Sequence, residues 1–133
     1  MNEEIPRVHA SYARIIGRRG FVERFYNVFL DSRPEIASLF KHTDFAAQEE
    51  QLKAAIHMAI QFPAGDKSAC DALSRIRESH NRNHMQIKPE YYIHWLNSLV
   101  ATIAEYDSEF DDELEGDWRR ILQTSLNYIK EGY

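Results

Sequence analysis

Residues 73–99 read LSRIRESHNRNHMQIKPEYYIHWLNSL, and this stretch decides the fold class. Its first eight residues continue a helix whose apolar positions recur at spacings of three and four and lead to His80. The segment Asn81 to Lys88 is polar and poor in helix formers, which predicts a loop. Pro89 then opens a long apolar-striped helix, since proline is tolerated in a first helical turn. The stretch therefore predicts two helices joined by a short polar loop.

Helical periodicity continues on both sides of this stretch, whereas the alternating pattern of strands is absent. The helix that ends at His80 is expected to begin at Ser68 or Lys67. Five further helices are predicted over residues 3–17, 18–32, Pro34 to about Phe40, Thr43 or Asp44 to Pro63, and about Asp111 to Ile129. Seven helices with short connections predict an all-α domain.

Composition limits the class of protein. At 133 residues and 15.6 kDa the chain is expected to form one domain over residues 1–133. A formal net charge of −5 and a sequence pI of about 5.7 argue against a nucleic-acid binder. The lone Cys70 can form no internal disulfide, which favours a cytoplasmic setting. No signal peptide or membrane span is expected, because the start is acidic and no apolar run approaches roughly 18 residues.

Motifs of the common enzyme classes are missing. The sequence has no GxGxxG, phosphate-binding loop, HExxH, CxxC or GxSxG pattern. The acidic stretch from Asp107 to Asp117 lacks the ligand alternation and the central glycine of a calcium loop. It is typical of a solvated helix start, where the helix dipole favours acids.

Three polar side chains fall on apolar helix faces. His80 extends the apolar face of its helix, so its ring nitrogens need a partner, either a backbone carbonyl or a metal. Tyr26 and Gln48 raise the same question on their own helices. A single polar side chain of this kind is more often a core residue whose polar atoms are hydrogen-bonded within the protein. Together they are typical of a cofactor pocket, in which a few polar groups surround an apolar cavity.

From about Phe21 to Ile129 the chain resembles a globin. The run FYNVF at residues 25–29 and the run RPEIASLF at residues 33–40 resemble the second and third globin helices. The run SHNRNH at residues 79–84, followed by Ile87 and Tyr91-Tyr92, resembles the proximal helix and its loop. The last two predicted helices match in length and pattern. The resemblance implies a 3-over-3 helical sandwich with a short segment between the third and distal helices.

The resemblance also implies roles for residues. His80 takes the place of the proximal ligand of a haem b iron, with His84 as the rival and otherwise as a neighbour of the haem propionates. Tyr26 and Gln48 form the distal pair, with Gln51 as an alternative to Gln48. Such a pair is similar to that of bacterial single-domain globins, flavohaemoglobin haem domains and sensor globins. The other residues expected to contact haem are Phe40, Phe45, Leu52, Ile76, Ile87, Tyr92 and Trp95.

The function implied is reversible binding of O2, CO or NO, for oxygen binding or transport or for gas sensing. One alternative is a nitric oxide dioxygenase or peroxidase-type haem enzyme served by an external reductase. Another is a haem-free helical signalling or interaction module. In a sensor the last two helices are expected to form a homodimer, through a surface that includes Tyr91, His94 and Trp118.

Overall fold

The computed structural model describes residues 3–133, and over them the regular structure is helical. Two short 3-10 turns, Phe62–Ala64 and Pro89–Tyr91, accompany the longer helices. The α-helices of this part of the chain are α1 (Glu4–Ile15), α2 (Phe21–Ser32), α3 (Pro34–Leu39), α4 (Phe45–Gln61), α5 (Lys67–His80), α6 (Tyr92–Tyr106) and α7 (Asp112–Lys130). The predicted seven α-helices and the all-α class are confirmed. No helix in residues 3–133 combines the length and the apolar character needed to cross a membrane.

The helices pack as two layers. In one layer α4 contacts both α1 and α5, and in the other α6 contacts both α2 and α7. The layers meet chiefly through α7, which contacts α1, α4 and α5. The short α3 packs on α2 and is followed by only five residues before α4 begins. This is the expected 3-over-3 arrangement, with the short connection after the third helix.

Local chemistry sets the helix starts. Asp44 caps α4 by accepting a hydrogen bond from the Ala46 amide at 3.1 Å. The start of α2 falls at Phe21 rather than near Arg18, because Gly20 adopts φ 84°, a left-handed conformation that interrupts a helix. Pro89 opens a 3-10 turn, and α6 itself begins only at Tyr92.

A buried polar chain joins α1 to the end of α6 and to α7. The Trp118 indole N–H donates to Ser11 Oγ at 3.0 Å, and Ser11 Oγ donates to Asp107 Oδ2 at 2.6 Å. Arg14 completes the chain with two bonds to the same carboxylate, at 2.8 and 2.9 Å. Trp118 is 0% exposed. The expectation that it lies on an intersubunit surface is therefore wrong, because its ring fills the core.

Candidate ligand-binding site

An aromatic cluster forms where α2, α3 and α4 meet. Phe40, directly after α3, and Phe45, the first residue of α4, stack with ring centroids 6.1 Å apart. The Tyr26 ring stands edge-on to both, at 5.8 Å from Phe40 and 5.4 Å from Phe45. The short connection between α3 and α4 places the two phenylalanines side by side. The predicted distal tyrosine thus lies against two of the predicted haem-contacting residues.

Gln48 joins this cluster from α4. Its Nε2 donates to the Tyr26 hydroxyl oxygen at 3.0 Å, so the proton of that hydroxyl stays available for another acceptor. Tyr26 is 5% exposed, and burial raises its pKa to about 12, although the Gln48 bond acts in the opposite direction. The phenol is therefore neutral and a hydrogen-bond donor at physiological pH. Gln51 is exposed, so it is Gln48 that the structure brings to Tyr26.

His80 is the last residue of α5, and the contacts of its ring favour one tautomer. Ser79 Oγ donates to the Ile76 carbonyl at 3.0 Å, so at its 3.0 Å contact with His80 Nδ1 it accepts. This arrangement favours the tautomer in which Nδ1 carries the proton and Nε2 keeps its lone pair. No hydrogen bond from residues 3–133 reaches Nε2. Burial lowers the pKa of His80, against the smaller raising effect of the Ile76 carbonyl, which favours neutral imidazole.

The loop after α5 separates the two candidate ligands. Asn81 Oδ1 accepts from the Asn83 amide at 2.9 Å and lies 2.8 Å from His84 Nδ1. The His84 side chain is 51% exposed, whereas His80 is half-buried. Ile87 returns to His80 by donating its amide to the His80 carbonyl at 3.0 Å. His84 thus lies on the outer side of a loop that turns Ile87 back towards the end of α5.

The other residues predicted to contact haem are largely apolar and come from α4, α5, α6 and the loop before α6. Leu52 and Tyr92 are buried, at 4% and 8% exposure, and burial raises the pKa of the Tyr92 phenol above its ordinary value. Four others are partly buried and pack against the core: Phe45, Ile76, Ile87 and Trp95. Apolar surface is therefore left for a ligand to cover, on residues that come from α4, α5, α6 and the loop before α6.

Two aromatic side chains of the FYNVF run support the cluster, although sequence reasoning assigned them no role in the site. Phe29 lies 5.9 Å from Phe40 and stacks on Phe25 at 5.5 Å. Phe25 in turn meets Trp95 edge-on at 5.9 Å and so connects α2 to α6. Their spacing of four residues places them on one face of α2, and their contacts with Phe40 and Trp95 connect them to the site. The role of Asn81 was also missed, although an asparagine directly after a helix is a common turn former.

Comparisons with known proteins agree with this arrangement. The family model described as Globin matches residues 23–129, which is most of the chain. Among solved structures the chain is similar to a Pseudomonas aeruginosa PAO1 protein, described as structurally highly homologous to a human hemoglobin. That protein is 34% identical, with 98% of each chain covered and a TM-score of 0.93. No curated protein matches the chain. Because a globin model matches well over half of its residues, the chain belongs to the globin family.

Proposed function

We propose that this globin holds haem b through His80 and reversibly binds O2 or another diatomic gas at the iron. The donor chemistry fits that group. A neutral imidazole with its proton on Nδ1 and its Nε2 lone pair unused is the form in which histidine ligates haem iron. The half-buried apolar side chains fit a flat, apolar ring as well.

On the proximal side the protein orients the ligand. The Ser79 hydroxyl accepts the Nδ1 proton while its own proton goes to the Ile76 carbonyl, so the ring can neither flip nor change tautomer without losing a bond. Ile76 and Ile87 would lie beside the porphyrin and exclude water. Iron supplies the bond to the gas when haem is bound, and these residues fix the imidazole that faces it.

The observation that carries the gas-binding proposal is the bond between Gln48 and Tyr26. Because Gln48 donates to the Tyr26 oxygen, the phenol proton is left to point at a ligand in the pocket. With haem in place, a neutral phenol in this aromatic cluster would donate to O2 more strongly than to CO, because O2 takes on more negative charge, and so would favour O2. Phe40 and Phe45 keep competing water away from that proton.

The test is an absorption spectrum of protein supplied with haem, recorded in the ferric, ferrous and ferrous–CO states. We expect a Soret band that shifts on reduction and again with CO, and that is lost or weakened in His80→Ala. The matched control is His84→Ala, which removes the exposed histidine of the following loop and should leave the spectra unchanged. If His84→Ala removed the Soret band and His80→Ala left it unchanged, His84 and not His80 would be the iron ligand.

Two other experimental outcomes would favour a haem-free module or a haem enzyme over the gas-binding role. Absence of a Soret band in every state would place the protein among haem-free helical interaction modules. Steady consumption of NO under O2, with an added reductase and reductant, would make it a nitric oxide dioxygenase that uses the same pocket. A role in transport or in sensing is then separated by gel filtration with and without ligand, because a sensor requires a ligand-dependent change in assembly or partner binding.

A further inference from the structure

Two arginines stand on either side of His80, and both reach the end of α7. Arg77 Nη1 donates to the Tyr128 carbonyl at 3.2 Å, and its guanidinium lies 4.7 Å from the Tyr128 ring centroid. Arg82 donates to the Tyr133 carbonyl through its Nε at 3.0 Å and through its backbone amide at 3.2 Å. Its guanidinium lies 5.1 Å from the Tyr133 ring centroid. Each arginine thus combines a backbone hydrogen bond with a cation–π contact.

The end of α7 is shaped to receive Arg77. A Cβ on Gly132 would come within 2.6 Å of Arg77 Nε and closer still to its aliphatic stem, so only glycine leaves room for this arginine. Gly132 has no positive φ, so the space and not the turn requires a glycine there. Ser74, one turn before Arg77, adds a hydroxyl contact to Tyr128 at 2.7 Å.

The packing of α5 on α7 does not by itself explain why Arg77 and Arg82 both bond to residues 128–133. Arg75 lies on the same helix and is exposed, and its side chain makes no hydrogen bond or ion pair with residues 3–133. A helix end also frays unless something holds it, since its last carbonyls have no intrahelical partner. At the end of α5 the capping bond from the Asn81 amide to the Glu78 carbonyl is long, at 3.5 Å. The Met85 and Ile87 amides donate to the Ser79 and His80 carbonyls at 3.0 Å, and the side-chain contacts that join this helix end to residues 128–133 are those of Arg77 and Arg82.

We propose that Arg77 and Arg82 are positioning residues for the proximal ligand. They fasten the chain to the end of α7 before and after His80, and so fix how far its imidazole can move towards or away from the iron. They also fix the start of the loop that carries His84, which keeps the second histidine out of competition. This inference rests on the proposed function, because it concerns the ligand that His80 supplies.

The experiment compares Arg77→Ala and Arg82→Ala with Arg75→Ala, the matched control from the same helix. In haem-free protein, hydrogen exchange is measured at the Met85 and Ile87 amides, which donate to the Ser79 and His80 carbonyls. In ferrous haem-loaded protein, the iron–imidazole stretching band is measured by resonance Raman. For the two test variants we expect exchange at these amides to rise by about tenfold or more and the band to shift or broaden. Arg75→Ala should change neither.

Two further variants keep the test independent of folding defects. Tyr128→Phe retains the ring and carbonyl that Arg77 uses and loses only the Ser74 contact, so it should preserve the band. Gly132→Ala displaces Arg77 without altering the charge of α5, so it should reproduce the band change of Arg77→Ala. If Arg77→Ala and Arg82→Ala both fold, ligate haem through His80 and keep the wild-type band, the inference is overturned and the proposed function stays intact. A wild-type protein that takes up no haem overturns both.

Discussion

Replacing Tyr26 with phenylalanine removes one hydroxyl and leaves the ring in its contacts with Phe40 and Phe45. Hydrogen bonds to charged groups contribute about 1.5 to 3 kcal/mol. With only 5% of Tyr26 exposed, its bond to O2 should lie towards the upper figure. The substitution also frees the Gln48 amide, 3.0 Å from the lost oxygen, to donate to the ligand and restore about 1 kcal/mol. The net loss of about 1.5 to 2 kcal/mol predicts O2 dissociation faster by roughly 10- to 30-fold.

The assay is stopped-flow displacement of O2 by excess CO, with CO dissociation measured as the internal control. CO dissociation should change much less, since bound CO carries less charge for the phenol to stabilise. Equal acceleration for both gases would mean that the hydroxyl acts through packing, and an unchanged O2 rate would remove Tyr26 from the site. Gln48→Ala should also accelerate O2 loss, whereas Gln51→Ala, an exposed amide on the same helix, should not.

Three further predictions concern stability, measured by urea unfolding. The Arg7 guanidinium, bonded to Asp117 at 2.7 Å, holds the pKa of that carboxyl below its ordinary value. A carboxyl whose pKa is lower in the folded than in the unfolded protein stabilises the fold at pH values above its unfolded-state pKa, and this stabilisation is lost as the pH falls. The difference in unfolding free energy between wild type and Asp117→Asn should therefore be constant above about pH 5 and shrink below about pH 4. A difference independent of pH would show that the pairing contributes nothing. Asp107→Asn should lower the free energy of unfolding by about 3 kcal/mol, because a buried carboxylate with several donors loses its charge, and a loss under about 1 kcal/mol would mean that water replaces those bonds. Gly20→Ala should lower the free energy of unfolding by about 1 kcal/mol because Gly20 has a positive φ. Gly17→Ala should be nearly neutral, because an added Cβ there meets no atom within 4 Å, and equal effects of the two substitutions would refute the backbone argument.

Periodicity predicted the helices well because each buries a stripe spaced by three and four residues. It could not place the start of α2, since the left-handed backbone of Gly20 depends on how the chain turns between two packed helices. Trp118 illustrates the difference between two kinds of inference. Its place on the apolar stripe of α7 already indicated burial, and the surface expectation came from the resemblance to sensor globins.

The site was predicted as separate parts. Tyr26 and Gln48 each stood out as polar groups on apolar faces, but the bond between them crosses two helices and 22 positions of sequence. No local pattern specifies that pairing, because it depends on the register of α2 against α4. The contacts of Arg77 and Arg82 with residues 128–133 were invisible for the same reason, since about fifty residues separate the partners. Whether His80 or His84 ligates the iron stays a prediction.

The hydrogen bonds between α1 and α7 limit how much of the protein can fold during translation. Ser11 and Arg7 find their partners Trp118 and Asp117 more than a hundred residues later, at separations of 107 and 110 positions. During translation the first helix is therefore finished long before the side chains that satisfy it exist. Its apolar face, which includes the buried residues Val8 and Ile15, can pack on α4 but lacks α7 until that helix has emerged. Until α7 is available, the nascent chain thus carries a helix whose apolar face is only partly covered, the kind of surface that holdase chaperones bind.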